Sequence, residues 1–325
     1  MKTAFVTGAG GFLGLNLVKL LLENRWKIKA FDLNVSKLRQ FDSSRLQSVK
    51  GDITDSASCE EAMPDNVDAV FHLAGDTTHW KPGNTRQTLI NVDGTRIMVE
   101  TAIKKRARRF IFTSSIGAYG AHSDTITEES PSTALDSIIN YWRTKRFAEQ
   151  KVRQGIERGL DAVILNPANI IGPHDDSGWS RLFFLIEKGK LAGAPPGSAS
   201  FCHAGEVARA HMLAFEKGRS GHNYLLGGSD GTWLEFVQQI GRLLGRKVPD
   251  KPLPAFILKS IGRISLWISY LTRKEPDITP EKAYLVSTKL ICNSDKARKE
   301  LGYRVVSLEA MLEDCHQWLV TAGLL

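Results

Sequence analysis

Residues Thr7 to Gly14 read TGAGGFLG, and no other stretch restricts this chain so tightly. An apolar β-type run, Thr3–Thr7, leads into them. An apolar pattern of helical period, Leu13, Leu17, Leu20 and Leu21, leads out. Strand, glycine turn and helix in that order suit a pyrophosphate, which needs free backbone N–H groups at a helix start and no side chain in the way. The comb G-x-G-x-x-G begins at Gly8 and Gly10, but Leu13 stands where its third glycine belongs. Gly8, Gly11 and Gly14 form a second comb, G-x-x-G-x-x-G. Glycine there supplies the turn, the close approach of the ligand and tight helix–strand packing. About 20 residues on, where a ribose-binding acid is expected, Asp32 closes a second β-type run. Its carboxylate can accept from an adenosine ribose and would repel a 2′-phosphate. The combination predicts NAD, with Lys37 and Arg39 near enough to keep NADP open.

The rhythm of the first half agrees. Short apolar runs at Thr3–Thr7, Ile28–Phe31, Leu46–Val49, Ala69–Leu73, Phe110–Thr113 and Ala162–Leu165 alternate with helical patterns, among them Val92 to Ile103 and Tyr141 to Gly155. Such alternation predicts an α/β fold, a Rossmann-type doubly wound parallel sheet with helices on both faces. Ligands then bind at the carboxyl ends of the strands. Past Pro167 the rhythm changes: Pro, Gly and Ser cluster at Gly189–Ser200, one more β-type run falls at Asn223–Leu226, and helical stretches follow. We expect residues 1–166 to form an NAD(P)-binding domain, with later strands returning around 201–228. Residues 167–325 should form a smaller, mostly helical, mainly substrate-binding part interleaved with it.

The bulk composition narrows the function classes. With 42% apolar and 24% charged residues the chain reads as an ordinary globular protein, without a secretory leader or a membrane-length apolar run. Its net charge is +8. The densest basic run, Lys104 to Arg109, sits at a helix C-terminus, where cations are favoured, and lacks the interleaved aromatics of a nucleic-acid patch. Cys59, Cys202, Cys292 and Cys315 show no C-x-x-C spacing, which argues against a metal site or a disulfide framework and suits a reducing, cytoplasmic setting. His79, His122, His174 and His203 lack metal spacing and read as ordinary polar positions. Residues 255–271 are the most apolar stretch, interrupted by Lys259, Gly262 and Arg263. A lid helix, plain core and a membrane-surface helix all remain open for them.

The chemistry-bearing motif is YWRTK. Tyr141 and Lys145, at i and i+4, share one helix face. A tyrosine with a pKa near 10 is a poor base, but a neighbouring ammonium and an oxidised nicotinamide favour the phenolate. Tyr141 then serves as a general acid/base. Upstream, FTSSIGAYG places Ser114 and Ser115 at the end of a β-type run, within reach of the same cleft. A hydroxyl there can donate to a carbonyl oxygen as charge develops on it.

Taken in order, TGAGGFLG, GDITD, VFHLAG, NVDGT, FTSSIGAYG, YWRTK, NPANIIGP and the closing ARKELGY resemble the extended short-chain dehydrogenase/reductase superfamily of NAD-dependent epimerase/dehydratase type. The resemblance covers nearly the whole chain. It implies a catalytic Ser115 with Ser114 second, Tyr141 as acid/base, and Lys145 as its activator and ribose ligand. It implies cofactor contacts from Gly8, Gly10, Gly11, Phe12, Leu13, Gly14 and Asp32. Further contacts would come from Asp52, Ile53, Leu73, Ala74, Gly75 and Thr113, and from Pro167, Asn169 and Ile170 beside the nicotinamide. Asn91 is either a further cofactor residue or a helix cap. Relatives often form homodimers through the helices beginning near Asn91 and Tyr141.

Three departures bear on substrate. Asn166 stands where many relatives have Arg, and Glu206-Val207 where they have Asp-Val. Ala199-Ser200-Phe201-Cys202-His203 replaces the Arg-Asp-aromatic segment usual in sugar-nucleotide epimerases. The chain is more similar to the dihydroflavonol-reductase and 3β-hydroxysteroid-dehydrogenase side, which implies hydride transfer at a ketone or alcohol of a bulky apolar molecule. Thr77, Trp80, Trp179, Phe183 and Phe184 are candidate substrate contacts, the aromatics being equally readable as core. A sugar-nucleotide epimerase or dehydratase with retained NAD is the alternative, and a non-catalytic NAD(P) sensor is the rival of another class.

Overall fold

The computed structural model describes residues 1–325. Six strands follow one another through the first half: β1 (Thr3–Thr7), β2 (Lys27–Asp32), β3 (Leu46–Lys50), β4 (Ala69–His72), β5 (Arg109–Thr113) and β6 (Ala162–Pro167). The chain leaves the sheet for β7 (Asn169–Ile171) and β8 (Ser198–His203) and returns with β9 (Asn223–Leu226). The main sheet is parallel throughout, in the order β3-β2-β1-β4-β5-β6-β9. This is the doubly wound sheet expected. Its central strands are buried on both faces, which is why Ala69–His72 and Ala162–Pro167 read as continuous apolar runs rather than alternating ones.

Helices cover both faces. On one, α1 (Phe12–Glu23) lies against the strands; on the other are α2 (Ser56–Ala62), α3 (Asn84–Thr88), α4 (Thr95–Lys104) and α5 (Asn140–Glu157). Leu17, Leu21 and Val6 belong to the first core, and Cys59, Met98, Val152 and Phe110 to the second. The helix expected from Val92 begins at Asn84, because α3 and α4 are joined by a π-helical turn over Leu89–Gly94. The polar sequence Asn84–Thr88 gives no apolar period from which to read this start.

The remainder contains α6 (Arg181–Glu187), α7 (Ala204–Lys217), α8 (Trp233–Leu244), α9 (Ala255–Thr272), α10 (Pro280–Leu285) and α11 (Leu308–Thr321). Of these, α7 packs back on the first face of the main sheet, with Val207 and Ala214 in the core shared with α1. A second sheet, absent from the sequence reading, centres on β8. It pairs antiparallel with β10 (Ser229–Thr232) and parallel with β7 and β11 (Lys289–Leu290). Thus only β9 of the later strands rejoins the main sheet. No helix is long and apolar enough to cross a membrane.

Candidate active site

The glycine loop between β1 and α1 shows why its residues are what they are. Gly8 has φ +68°, and a Cβ there would lie 2.6 Å from the Ala74 nitrogen at the end of β4. A Cβ on Gly14 would meet the Gly8 carbonyl at 2.1 Å, and one on Gly10 the Asn34 carbonyl at 2.3 Å. Gly11 differs: it is exposed, its Cβ position is clear except for the Gly8 carbonyl at 3.3 Å, and it caps α1. The first turn of α1, with Phe12 and Leu13, has no acidic residue and no capping side chain. Its amides are left for an anion. Asp32 accepts from the Gly10 and Asn34 amides at 2.9 Å each. A carboxylate has about four acceptor positions, so two remain for ribose hydroxyls. Lys37 is paired with Asp176 instead of standing free beside Asp32. This cradle fits an NAD pyrophosphate and adenosine ribose.

Asp52 and Ile53 follow β3. Asp52 accepts from the Thr54 amide at 2.8 Å, and Ile53 packs under Gly94. Beneath the loop, Thr95 Oγ1 donates to the Asn91 carbonyl at 2.7 Å, so His72 Nε2 must donate to Thr95 at 3.0 Å. His72 Nδ1 then accepts from Thr7 at 2.7 Å. Burial pushes the His72 pKa down to about 3, so the ring is neutral and ties β1, β4 and α4 together. Thr7 also accepts from the Ala74 amide at 3.3 Å, next to Leu73 and Gly75.

Asn91 lies on the π turn and is not a helix cap. Its Oδ1 accepts from the Asp76 amide at 2.7 Å, and its Nδ2 donates to the Asp76 carbonyl at 2.9 Å and to Thr144 at 3.0 Å. It therefore fixes the strand of chain after Gly75. A Cβ on Gly75 would come within 3.3 Å of Lys145 Nζ, so the exposed glycine borders the lysine directly.

Tyr141, Lys145 and Ser115 converge at the carboxyl end of β5. Lys145 Nζ donates to the Thr113 carbonyl at 2.9 Å and lies 5.9 Å from the Tyr141 ring centre. Burial lowers the Lys145 pKa from 10.5 to about 8, partly countered by Glu149. Burial raises Tyr141 to about 12, with the adjacent Ser115 hydroxyl working against it. The chain alone therefore raises the tyrosine pKa where a depressed one was expected, because burial of the phenolate is the largest cause. In this state Tyr141 is a phenol, a proton donor.

The two serines separate. Ser115 sits beside Tyr141 and its Oγ accepts from the Gly117 amide at 3.1 Å. Ser114 is buried and its Oγ donates to Glu149 Oε1 at 2.6 Å. As a second catalytic hydroxyl Ser114 is therefore corrected: its group is committed beneath the site. Asn166 joins this network, donating to Glu149 at 2.6 Å and to the Ser115 carbonyl at 3.0 Å. Glu149 was missed, although Tyr141, Lys145 and Glu149 repeat at four-residue spacing on one face of α5. Thr113 Oγ1 bonds His211 Nε2 at 2.7 Å on the other side of the strand.

Of the suggested substrate contacts, Phe183 is fully buried in the C-terminal core, against His316, and is corrected to core. Trp179 packs against Trp233 with centroids 4.3 Å apart and the rings tilted by 40°, and Phe184 packs on the same core. Thr77 is exposed, and the Trp80 indole donates to Ser269 at 2.9 Å. His79, read as an ordinary polar position, lies 5.4 Å from the Tyr141 ring and is kept neutral by burial, its pKa falling to about 4. Asn169 donates to the Ser200 carbonyl at 3.0 Å; Ile170 beside it is half-buried and Pro167 is buried.

A nucleotide cradle and a Tyr–Lys pair at the carboxyl edge of one parallel sheet define an NAD-dependent enzyme of the short-chain dehydrogenase type. The chain belongs to the NAD-dependent epimerase/dehydratase family, whose model matches residues 4–227. It is 29% identical to sterol demethylase protein B of Methylococcus capsulatus, over 99% of this chain and 100% of that one. It is 27% identical to the decarboxylating sterol-4-alpha-carboxylate 3-dehydrogenase ERG26 of Candida albicans, over 98% of each. Among solved structures, DesIV, a dTDP-glucose 4,6-dehydratase of Streptomyces venezuelae with NAD bound, superposes with a TM-score of 0.79. It covers 98% of this chain and 97% of that one at 23% identity, a likeness of fold.

Proposed function

We propose that this enzyme transfers a hydride between NAD and a ketone or alcohol carbon of a bulky apolar molecule, of which a sterol-like ring system is the model. The observation that carries this reading is the company of Tyr141. His79, neutral, lies 5.4 Å from its ring, with Trp80 next in the chain, while three cations, Arg86, Lys282 and Arg181, are paired with Asp76, Glu275 and Asp277. An anionic pyrophosphate substrate would need such cations free. The sterol-named relatives support the same direction.

Bound NAD supplies the hydride donor or acceptor, and in its oxidised form a positive charge that adds to that of Lys145. The residues do the rest. Ser115 donates to the substrate oxygen and orients it against the phenol. Tyr141 gives its proton to that oxygen in reduction and takes it back in oxidation. Lys145, anchored on Thr113, holds the charge that lets the phenolate form. Gly8, Gly10, Gly11, Gly14 and Asp32 hold the dinucleotide, with residues 1–166 and β9 as the cofactor part and 167–325 mainly the substrate part.

Four buried free thiols support a reducing, cytoplasmic setting. Exposed Leu89 precedes the helix at Asn91, and exposed Ile138 and Phe147 lie just before and on α5, which supports a homodimer through the helices near Asn91 and Tyr141. Tyr141→Phe should abolish turnover in a screen of apolar ketones and alcohols while leaving NAD affinity unchanged; retained turnover refutes the role. The sugar-nucleotide reading has the fold likeness in its favour. It is separated by quantifying NAD released on denaturation, since near-stoichiometric NAD marks a retained cofactor.

A further inference from the structure

α9 is the most exposed apolar element of the molecule. Leu258, Gly262 and Ser269 form its inner face, and a Cβ on Gly262 would press into the Thr279 backbone at 2.9 Å. On the outer face Phe256 is 70% exposed, Ile264 62%, Trp267 76% and Leu271 88%. At about 100° per residue, Phe256, Ser260, Ile264, Trp267 and Leu271 fall within roughly 80° of one another. The one polar member is internally satisfied, since Ser260 donates to the Phe256 carbonyl at 2.9 Å. An apolar stripe facing outward is the reverse of a helix that merely covers a core.

Charge identifies what meets this stripe. The helix has two cations, Lys259 and Arg263, and no acid. Both are exposed, as are Lys251 before it and Arg273 and Lys274 after it. After the helix the nearest acids along the chain, Glu275 and Asp277, are occupied by Lys282 and Arg181; before it the nearest acid is Asp250, beside Lys251. A second copy of this chain docked through a two-fold axis would set these five cations against their equivalents with Asp250 the one unpaired acid nearby in the chain. An anionic bilayer surface complements them. Trp267 and Tyr270 are residues that favour the headgroup level, and Lys and Arg stems can lie along the apolar layer with their heads in water.

We propose that α9 is a membrane-surface helix that docks the enzyme on an anionic bilayer without crossing it. The helix is also wired to the catalytic cleft. Ser269 on its inner face accepts from Trp80, and Thr279, just beyond the helix, donates to the His79 carbonyl at 2.5 Å. His79 is the residue beside Tyr141. The loop that walls the cleft is therefore held by the docking helix. If the apolar substrate proposed above is right, it reaches the cleft from the lipid phase; the docking itself does not depend on that reading.

The test is co-sedimentation of the full-length protein with vesicles of phosphatidylcholine alone and of phosphatidylcholine with phosphatidylglycerol. The wild type should pellet with the anionic vesicles, far less with the neutral ones, and come off at high salt. Trp267→Glu with Leu271→Glu should lower the partition coefficient roughly tenfold or more. Lys259→Glu with Arg263→Glu should do the same without removing any apolar contact, which covers the case in which the first pair misfolds. Failure of the wild type to pellet, or equal pelleting of all variants, overturns the proposal. So does light scattering that shows Trp267→Glu with Leu271→Glu turning a dimer into a monomer without vesicles, because a second copy then covers the stripe. No substrate enters this assay, so its outcome is independent of the assigned reaction.

Discussion

Replacing Lys145 by methionine should make the ligand-free protein more stable at neutral pH while removing its activity. Lys145 is buried, and its pKa drops from 10.5 unfolded to about 8 folded. At 1.36 kcal/mol per unit, holding the charged form inside costs about 3 kcal/mol. The sign follows from proton counting. Between pH 8 and 10.5 the unfolded chain keeps a proton that the folded chain has released, so this residue's contribution to stability rises with pH. Below that window the full cost is present, and above it the cost is gone. Methionine is of similar length and needs no hydration; its main loss is the bond to the Thr113 carbonyl, worth about 1–3 kcal/mol. The difference between variant and wild type should therefore favour the variant most near pH 7 and shrink by about 3 kcal/mol as pH approaches 10.5. The difference is the right observable, because buried thiols work the opposite way. Cys59, Cys292 and Cys315 are raised to about 12, so the folded state retains their protons above pH 9 and loses stability as pH rises. Those contributions are common to both proteins and cancel. Urea unfolding of both at matched concentration across this range is the assay. A pH-independent difference would refute the claim that Lys145 carries its charge at the expense of the fold.

Asp32→Ala should reduce the preference for NAD over NADP and also destabilise by about 1–3 kcal/mol, since the Gly10 and Asn34 amides lose their acceptor; cofactor titrations and thermal melts measure the two effects separately. Gly14→Ala should cost about 3 kcal/mol or more through the 2.1 Å approach to the Gly8 carbonyl. Gly11→Ala should fold nearly normally yet bind NAD less tightly, because its methyl would occupy the open side where the dinucleotide approaches, and calorimetry with NAD distinguishes the pair.

What could be read from the sequence was what neighbours in the chain decide. The glycine loop, Asp32 and the Tyr141–Lys145 pair each depend on a strand end or one helix face, and their spacing carries that information. The orientation of Ser114 and Ser115 depends on Glu149 and Asn166, which arrive from α5 and β6 and could not be seen locally. Phe183 and the cleft-side His79 look alike as isolated aromatic rings, and only packing separates them. The second sheet was missed because β11 has two residues and Ser229–Thr232 is too polar and glycine-bearing to read as a strand. The π turn was hidden for a related reason: an extra residue inside a helix shifts the apolar period rather than ending it.

The position of β9 has a consequence for how the chain is made. Residues 223–226 complete the main sheet, yet β6 ends at Pro167. A ribosome adding roughly 5–20 residues per second would leave the outer edge of β6 bare for several seconds. Throughout that interval Ile164 to Pro167 offer unpaired main-chain groups on a strongly apolar strand, the geometry through which nascent chains stick to one another. A fragment ending near residue 166 would keep that edge permanently. The cofactor-binding half is thus an early-synthesised unit that matures late, and a stop anywhere before residue 226 should give an aggregating product rather than a small NAD-binding protein.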